Sequence, residues 1–378
     1  MTLQRAALLI AGGMLGASMT FAAEQTVPQV PAAFAPLPRA VPAPADNPTT
    51  PEKVALGKLL FWDPILSGPQ DIACATCHHP DFGYTDGRDL PIGTGGEGIG
   101  PKRVFRGQHP LVKRNSPTIL NVGFTGFVDP AGPFDPSQAP MFWDSRVRGL
   151  EAQALAPIES LEEMRGDQIP DGGGVAAAVA RVAAVREYRE LFQRVFGEPD
   201  AVTAVNMSRA IAAFERTLIT AETPFDRYLR GDLKAITPAA IYGMRVFDEQ
   251  GCTGCHKGPM LSDYQLHVLG APDHPGAGRD TGAEGRFAFR TPPLRNLAVT
   301  APYFHSGRFE HLSTAIGVYR RLPAPGAPVG RERLDVLAQQ INLESGLGDV
   351  TEFLATLNGP FDRTIPRRVP SGLKPGGK

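Results

Sequence analysis

The chain has no marked excess of charge. Its 378 residues include 38 Lys and Arg against 39 Asp and Glu, which gives a formal net charge of −1. Such a balance argues against a nucleic-acid-binding protein, because those proteins carry clustered positive charge. Cysteine is also scarce, at four residues. After residue 23 no apolar run is long enough to span a membrane, and the chain length is sufficient for two ordinary domains.

The four cysteines all fall within two copies of the motif C-x-x-C-H. The copies comprise Cys74, Cys77 and His78, and then Cys252, Cys255 and His256. This motif attaches a c-type haem: the thiols bond to its vinyl groups and the adjacent His binds iron. The alternatives are a zinc site, a redox dithiol or a chance match. Two copies predict two covalently bound haem c groups and leave no cysteine for a disulfide.

Residues 1–23 have the pattern of a secretory signal peptide. Arg5 precedes a short apolar run, and small residues at 20–23 offer a cleavage site. The alternative is an uncleaved membrane anchor. Covalent haem attachment takes place outside the cytoplasm, so the signal and the motifs together predict a periplasmic protein with no membrane span after signal removal.

The remaining chain is predicted to be mostly α, with two cytochrome c-like helical haem domains and long loops. The predicted division is a Pro/Ala-rich linker or disordered arm at 24–51, an N-terminal haem domain at 52–230, a C-terminal haem domain at 231–362 and a disordered tail at 363–378. A short amphipathic helix precedes each haem motif, which indicates an internal duplication. Other helices are expected within 142–158, 175–196, 202–229, 311–321 and 331–357.

Several further motifs, taken in order with the two haem motifs, resemble the bacterial di-haem cytochrome c peroxidases and their MauG-type relatives. The resemblance covers residues 52–359 and rests on L-G-K-L-L-F-W-D at 56–63, N-S-P-T at 115–118, F-W-D-S-R at 142–146, P-L-R-N at 293–296 and A-P-Y-F-H at 301–305. It implies that the N-terminal haem reacts with hydrogen peroxide and that the C-terminal haem stores or relays electrons.

The resemblance also implies a calcium ion between the haems. The matching positions are Asn115, Thr300 and Pro302, the last two through their backbone carbonyls. Oxygen ligands of this kind suit a hard cation. Taken alone, an Asn before Ser-Pro is equally typical of a turn.

At the peroxide-binding haem the resemblance places Glu151 as the distal acid–base residue. Cleavage of the peroxide O–O bond needs a group that accepts a proton and returns it; the alternative is a solvated glutamate at a helix start. Related enzymes often carry Gln at the position of Met141, which cannot donate a hydrogen bond. His79 is poorly placed to bind the first iron. His109 remains a candidate, but its spacing to Asn115 does not match that of the family's loop ligand, so an open, five-coordinate iron is expected.

At the C-terminal haem the resemblance places Tyr319 at the axial position. Ordinary di-haem peroxidases have Met there, but no Met follows Met260 in this chain, and the MauG-type enzymes have Tyr. A phenolate is a hard anion and favours ferric and higher states, whereas a thioether favours ferrous iron. Tyr319 as a core aromatic is the alternative reading. The other possible ligands are His267, His274, His305 and His311.

The sequence thus predicts a periplasmic, MauG-like enzyme that uses hydrogen peroxide to form a high-valent di-haem state. This state would oxidise a partner protein, for example at a Trp or Tyr side chain. One alternative is a cytochrome c peroxidase that takes electrons from a small cytochrome, and another is a non-enzymatic electron-transfer protein. Trp62 and Trp143 could assist electron transfer, although core packing is the expected role of Trp62.

Overall fold

The computed structural model describes residues 30–107 and 111–377 and confirms a mostly α fold. Its α-helices are α1 Pro51–Trp62, α2 Cys74–Cys77, α3 Leu150–Glu159, α4 Gly174–Ala184, α5 Arg186–Phe196, α6 Ala204–Glu215, α7 Pro224–Leu229, α8 Pro238–Glu249, α9 Leu312–Gly317, α10 Val336–Gln340 and α11 Leu347–Ala355. The strands form three short antiparallel pairs: β1 Gly96–Glu97 with β2 Val104–Phe105, β3 Pro140–Met141 with β4 Val147–Arg148, and β5 Leu266–His267 with β6 Phe289–Arg290. Among these residues no helix is long and apolar enough to cross a bilayer.

The first core forms around α1 and α6, which cross in close contact. Thr50 caps α1 by accepting a hydrogen bond from the backbone N–H of Lys53, and Pro51 starts the helix where no N–H is needed. Gly57 makes the crossing possible, because a Cβ there would lie 1.9 Å from the carbonyl oxygen of Ala210. Helices α3, α4 and α5 complete this core.

The second core repeats this arrangement with α8 and α11. Gly243 of α8 again permits the crossing, since a Cβ there would lie 1.8 Å from the carbonyl oxygen of Asp349. In both halves the close-packed helix, α1 or α8, leads towards a haem motif, which agrees with the predicted duplication. Helix α7 packs in this second core, although the predicted boundary at residue 230 assigned it to the first domain.

Three predicted helical segments are interrupted in the structure, and one of them, 331–357, divides into α10 and α11. The segment 175–196 divides into α4 and α5 at Val185, whose backbone is extended (φ −82°, ψ 118°). The segment 202–229 divides into α6 and α7, with Pro224 in the first turn of α7, a position that tolerates its missing N–H. Within 142–158 only the part from Leu150 is helical.

The linker and the tail are both packed against the helices. Residues 30–50 are without helix or strand, as predicted, but the ring of Phe34 lies among three aromatic rings of the second core: Phe225, Phe247 and Phe353. In the tail, Val369 is 1% exposed and Gly377 pairs with Ile72. The prediction of a disordered tail is therefore wrong for residues 363–377, and that of a disordered arm is wrong for 30–50, because composition alone does not reveal packing. The predicted signal peptide lies outside the described residues.

Candidate active site

Both C-x-x-C-H motifs line one continuous, mostly apolar cavity. Its walls include Cys74, Cys77, His78, Cys252, Cys255 and His256. All four thiols are free, as attachment to haem requires. Burial raises the pKa of the Cys74 and Cys252 thiols to about 12, which does not fit a redox dithiol with a reactive thiolate.

A zinc site at the first motif also finds no support among the described residues. The one group of three possible metal ligands found there consists of Cys255, Asp263 and His267, at the second motif. A structural zinc site needs four ligands. The cavity, the free thiols and the histidines instead fit a covalently attached haem at each motif.

The first histidine, His78, is oriented through its Nδ1, which lies 3.1 Å from the backbone carbonyl oxygen of Tyr84. This hydrogen bond places the proton on Nδ1 and leaves Nε2 as the nitrogen that can bind iron. Burial lowers the pKa of His78. The neutral imidazole is thereby favoured, which is the form that binds metal.

The second histidine, His256, is oriented in the same way. Its Nδ1 lies 2.9 Å from the backbone carbonyl oxygen of Leu261, and burial lowers its pKa as well. The two acceptor residues share an uncommon backbone conformation, with φ of +58° at Tyr84 and +52° at Leu261. Each half therefore turns its chain sharply after the motif so that a carbonyl points back at the histidine.

Tyr319 lies in a short turn, Val318–Arg320, directly after α9. Its side chain lines the cavity together with Cys252, Cys255 and His256. Burial raises the pKa of the Tyr319 phenol, and the nearby thiols of Cys252 and Cys255 add to this shift. The structure thus brings Tyr319 and the second haem motif together, as the sequence predicts.

Three of the four histidine alternatives are engaged by a carboxylate or exposed, whereas the buried Nε2 of His305 has no hydrogen-bond partner among the described residues. His267 lines the cavity, but its Nε2 lies 3.0 Å from Asp263 Oδ2. His305 also lines the cavity and stacks on Phe289, with ring centroids 3.7 Å apart. In addition, His274 pairs with Asp89 across 2.9 Å and His311 is exposed. Tyr319 is the better candidate ligand because its phenol lies near the Cys252 and Cys255 thiols of the second motif.

The structure does not bring Glu151 to the cavity, and its predicted acid–base role does not fit this geometry. The Glu151 carboxylate accepts hydrogen bonds from Arg216 Nη2 at 2.6 Å and from Asn47 Nδ2 at 2.7 Å. Although Glu151 lies in the first turn of α3, its side chain is absent from the cavity lining.

A different carboxyl group, Glu163, lines the cavity beside the first motif. Burial raises its pKa to about 7, with Arg146 opposing part of the shift. Glu163 lies in a π-helical turn, Leu161–Arg165, and such turns occur frequently at functional sites. The sequence reasoning missed this residue. The sequence did offer a signal for an irregular turn at this point: Pro157 lies inside α3, and two adjacent glutamates follow it closely.

Two further side chains define the polarity of this part of the cavity. Met141 lines it and is 3% exposed, packed with Leu150 and Ala212. Gln153 lines it from α3. The amide of Gln153 can therefore donate the hydrogen bond that Met141 lacks.

The histidines near the first motif provide no visible axial ligand. The buried ring of His79 lies 5.5 Å from the ring of Trp62 and does not line the cavity. His109 lies outside the described residues.

Comparison with known proteins places this geometry in a family. The family described as di-haem cytochrome c peroxidase matches residues 51–234. The methylamine utilization protein MauG of Methylophilus methylotrophus is 33% identical over 332 residues, which cover 85% of this chain and 87% of that protein. The cytochrome c551 peroxidase of Pseudomonas aeruginosa is 34% identical, covering 77% of this chain and 78% of that protein.

The chain belongs to the di-haem cytochrome c peroxidase and MauG family. A crystal structure of a MauG-like protein associated with microbial copper homeostasis superimposes with a TM-score of 0.68 at 28% identity, covering 85% of this chain and 95% of that one. The protein is therefore a di-haem oxidoreductase that uses peroxide. Relatives of both kinds, MauG and cytochrome c peroxidase, are similar to it.

The predicted calcium positions of this family member also face the cavity. Asn115, Thr300 and Pro302 all line it. Asn115 donates from Nδ2 to the carbonyl oxygen of Arg88 at 2.9 Å, so Oδ1 points elsewhere, and its own carbonyl accepts from Trp143 Nε1 at 2.9 Å. Between described residues no hydrogen bond engages Asn115 Oδ1 or the carbonyl oxygens of Thr300 and Pro302.

The two tryptophans occupy different environments. Trp143 lines the shared cavity and is held by its bond to Asn115. Trp62 is 1% exposed and packs within an aromatic cluster, which confirms the expected core role. Of the two, only Trp143 lines the cavity that both haem motifs share.

Proposed function

We propose that this enzyme is of the MauG type and uses hydrogen peroxide to oxidise a partner protein. The observation that carries the proposal is Tyr319 at the cavity wall beside His256. A phenolate at the C-terminal iron favours its oxidised states and makes that haem a poor acceptor of electrons from a small cytochrome. The haems supply the redox chemistry, and the side chains around them handle protons and position the reactants.

Glu163 is the acid–base residue in this proposal, in place of Glu151. Its buried carboxylate would accept a proton from one oxygen of bound peroxide and return it to the leaving oxygen. Gln153 orients the peroxide by donating a hydrogen bond, and Met141 keeps water from the apolar wall. In total, one peroxide takes up two electrons and two protons and leaves as two molecules of water. The partner supplies both electrons.

Asn115, Thr300 and Pro302 form the proposed calcium site, supported by their unengaged oxygen atoms at the cavity. Trp143 lies beside this site because its indole bonds to the Asn115 carbonyl. An ion there would fix the position of the indole relative to both haem motifs. The signal sequence and the haem attachment motifs support a periplasmic location.

A Tyr319→Met variant tests the proposal. Axial ligands set haem potentials over a range of about 0.8 V, so a redox titration should show two low-potential haems in the native enzyme. In the variant one of them should rise, of the order of hundreds of millivolts. Tyr303→Phe is the matched control: Tyr303 also lines the cavity, but its hydroxyl donates to the Leu297 carbonyl. A native enzyme with one high-potential haem would refute the proposal.

The second candidate function is cytochrome c peroxidase activity, which the relative from Pseudomonas aeruginosa favours. It requires rapid reduction of one haem by a small cytochrome. Stopped-flow mixing of the native enzyme with reduced cytochrome c separates the two functions. Fast electron transfer favours the peroxidase, whereas slow transfer with persistence of the peroxide-oxidised enzyme favours the MauG type.

A further inference from the structure

The last part of the chain returns to the first haem motif. Residues 362–377, which we name the C-terminal strap, follow the second core but end against the N-terminal half. Gly377 pairs with Ile72, just before the motif. The Gly376 carbonyl accepts a hydrogen bond from the hydroxyl of Thr76, inside the motif, at 2.7 Å, and Gly376 N–H donates to the Trp62 carbonyl at 2.8 Å.

The strap also holds the residue that orients His78. The phenol of Tyr84 donates to the Asp362 carbonyl at 2.8 Å, while the Tyr84 carbonyl receives the bond from His78 Nδ1. Tyr84 has a φ of +58° and is 0% exposed. A left-handed conformation is unfavourable for such a large residue and persists only where its surroundings hold it. The strap is part of those surroundings.

Further contacts show that the strap is built into the first half. The Ser371 hydroxyl donates to Asp63 Oδ1 at 2.6 Å, and Val369 packs in the cluster that contains Tyr84. Gly377 has a φ of +83°, and a Cβ there would lie 2.2 Å from the Asp71 carbonyl oxygen. Only glycine fits at this contact, so the end of the strap packs directly against the backbone before the first motif.

The turn after the second histidine is held by a different distant segment: Gly258 N–H donates to the Ala33 carbonyl at 2.7 Å. Leu261, the acceptor for His256, is 0% exposed and packs with residues of the second core such as Phe247 and Phe353. The strap contacts described above all lie on the N-terminal half.

We propose that the C-terminal strap is a positioning element of the first haem site, acting on His78 through Tyr84 and on the motif through Thr76. A fixed acceptor strengthens the Nδ1–H bond and raises the basicity of the ligand. Loss of the strap should therefore weaken the donation of His78 to ferric iron and raise the potential of that haem alone. This role goes beyond the proposed function, because it holds for either type of peroxide-using enzyme.

Three variants of the full holoenzyme test the proposal: deletion of residues 362–378, Tyr84→Phe and Gly377→Ala. We expect a raised midpoint potential and altered ferric electron paramagnetic resonance signals for the first haem, with both unchanged for the second. The deletion should also slow reaction with peroxide about 10- to 100-fold, as loss of an outer contact to a metal ligand typically does. Tyr84→Phe should show the same changes at smaller amplitude.

Tyr228→Phe is the matched control, because it removes a buried hydroxyl that has no partner among the described residues. It should leave both haem signals unchanged. If the deletion variant does not fold, Tyr84→Phe and Gly377→Ala decide the matter. Unchanged first-haem signals in these variants, or equal shifts at both haems, would overturn the proposal.

Discussion

The two haem sites hold their proximal histidines in the same way but differ in the other side chains that line the cavity around them. Each proximal histidine bonds through Nδ1 to a carbonyl on a left-handed turn, and each motif follows a helix that crosses its partner at a glycine. Beyond the histidines the likeness ends. The first site has buried carboxyl groups, Glu163 and Glu215, whereas the second has the phenol of Tyr319.

This difference separates two tasks within one cavity. Burial raises the pKa values of Glu163 and Glu215 to about 7 and about 8, which places proton transfer near neutral pH at the first site. Burial raises the pKa of Tyr319 further, so this side chain does not exchange protons near neutral pH unless a metal stabilises the phenolate. In the proposed function, proton chemistry belongs to the N-terminal half and storage of oxidising equivalents to the C-terminal half.

Among the variants, Glu163→Gln should have the largest effect, because it removes the proposed acid–base group from the first haem site. A side chain that transfers protons typically contributes about 10²- to 10⁴-fold to rate, and the peroxide rate constant should fall by this factor. Stopped-flow absorbance measures it, and the spectrum of the second haem should not change. Glu162→Gln is the control, because this neighbour does not line the cavity. A native rate in Glu163→Gln would contradict the assignment.

A buried ion pair in each half allows the stabilities to be compared. In the second half Asp226 accepts two bonds from Arg295, at 2.8 and 2.9 Å, and their side chains are 0% and 1% exposed. Asp226→Asn leaves the arginine charge buried without its partner, which costs about 3–5 kcal/mol. In the first half Glu151 is 24% exposed beside Arg216, so Glu151→Gln should cost less.

Urea unfolding followed by circular dichroism compares the two variants. Glu151→Gln serves a second purpose, since it should retain the native peroxide rate if Glu151 lies outside the reaction. Equal losses of stability would show that solvent does not moderate the charge of Glu151.

The sequence predicted the haem motifs, because their chemistry depends on fixed local spacing. The resemblance to the family placed Tyr319 near the second motif, and Tyr319 lines the cavity there. The sequence did not predict Glu163. Glu151 lies in the first turn of α3 and Glu163 in the π-helical turn after it, and only the packing of these two elements decides which carboxyl reaches the cavity.

The C-terminal strap was missed for a different reason. Gly and Pro at the end of a chain are typical of disorder, yet here Gly377 meets a contact too close for any Cβ. The partner that requires this glycine, Asp71, is distant in sequence. No local pattern could therefore reveal the contact.

The smallest effect that we expect from the difference between the two haem sites is the pH dependence of the peroxide rate constant. Because burial raises the pKa of Glu163 to about 7, its carboxylate is mostly protonated below that pH and cannot accept a proton from peroxide. The rate constant should rise about tenfold per pH unit below pH 7 and level off above it. Arg146 lines this part of the cavity and lowers the pKa of Glu163, so Arg146→Gln should raise the midpoint of the profile without removing it.

The raised pKa of Glu163 also makes the free energy of unfolding depend on pH. The folded-state pKa of Glu163 lies above its ordinary value of 4.5, so the folded enzyme binds an extra proton between these two values. Its contribution to the free energy of unfolding is present in full below pH 4.5 and is lost as pH rises through about 7. Relative to Glu163→Gln, the native enzyme should therefore lose stability across this interval. A difference in melting temperature that does not change between pH 5 and 8 would mean that Glu163 is ionised throughout, and the rate profile would then need another group.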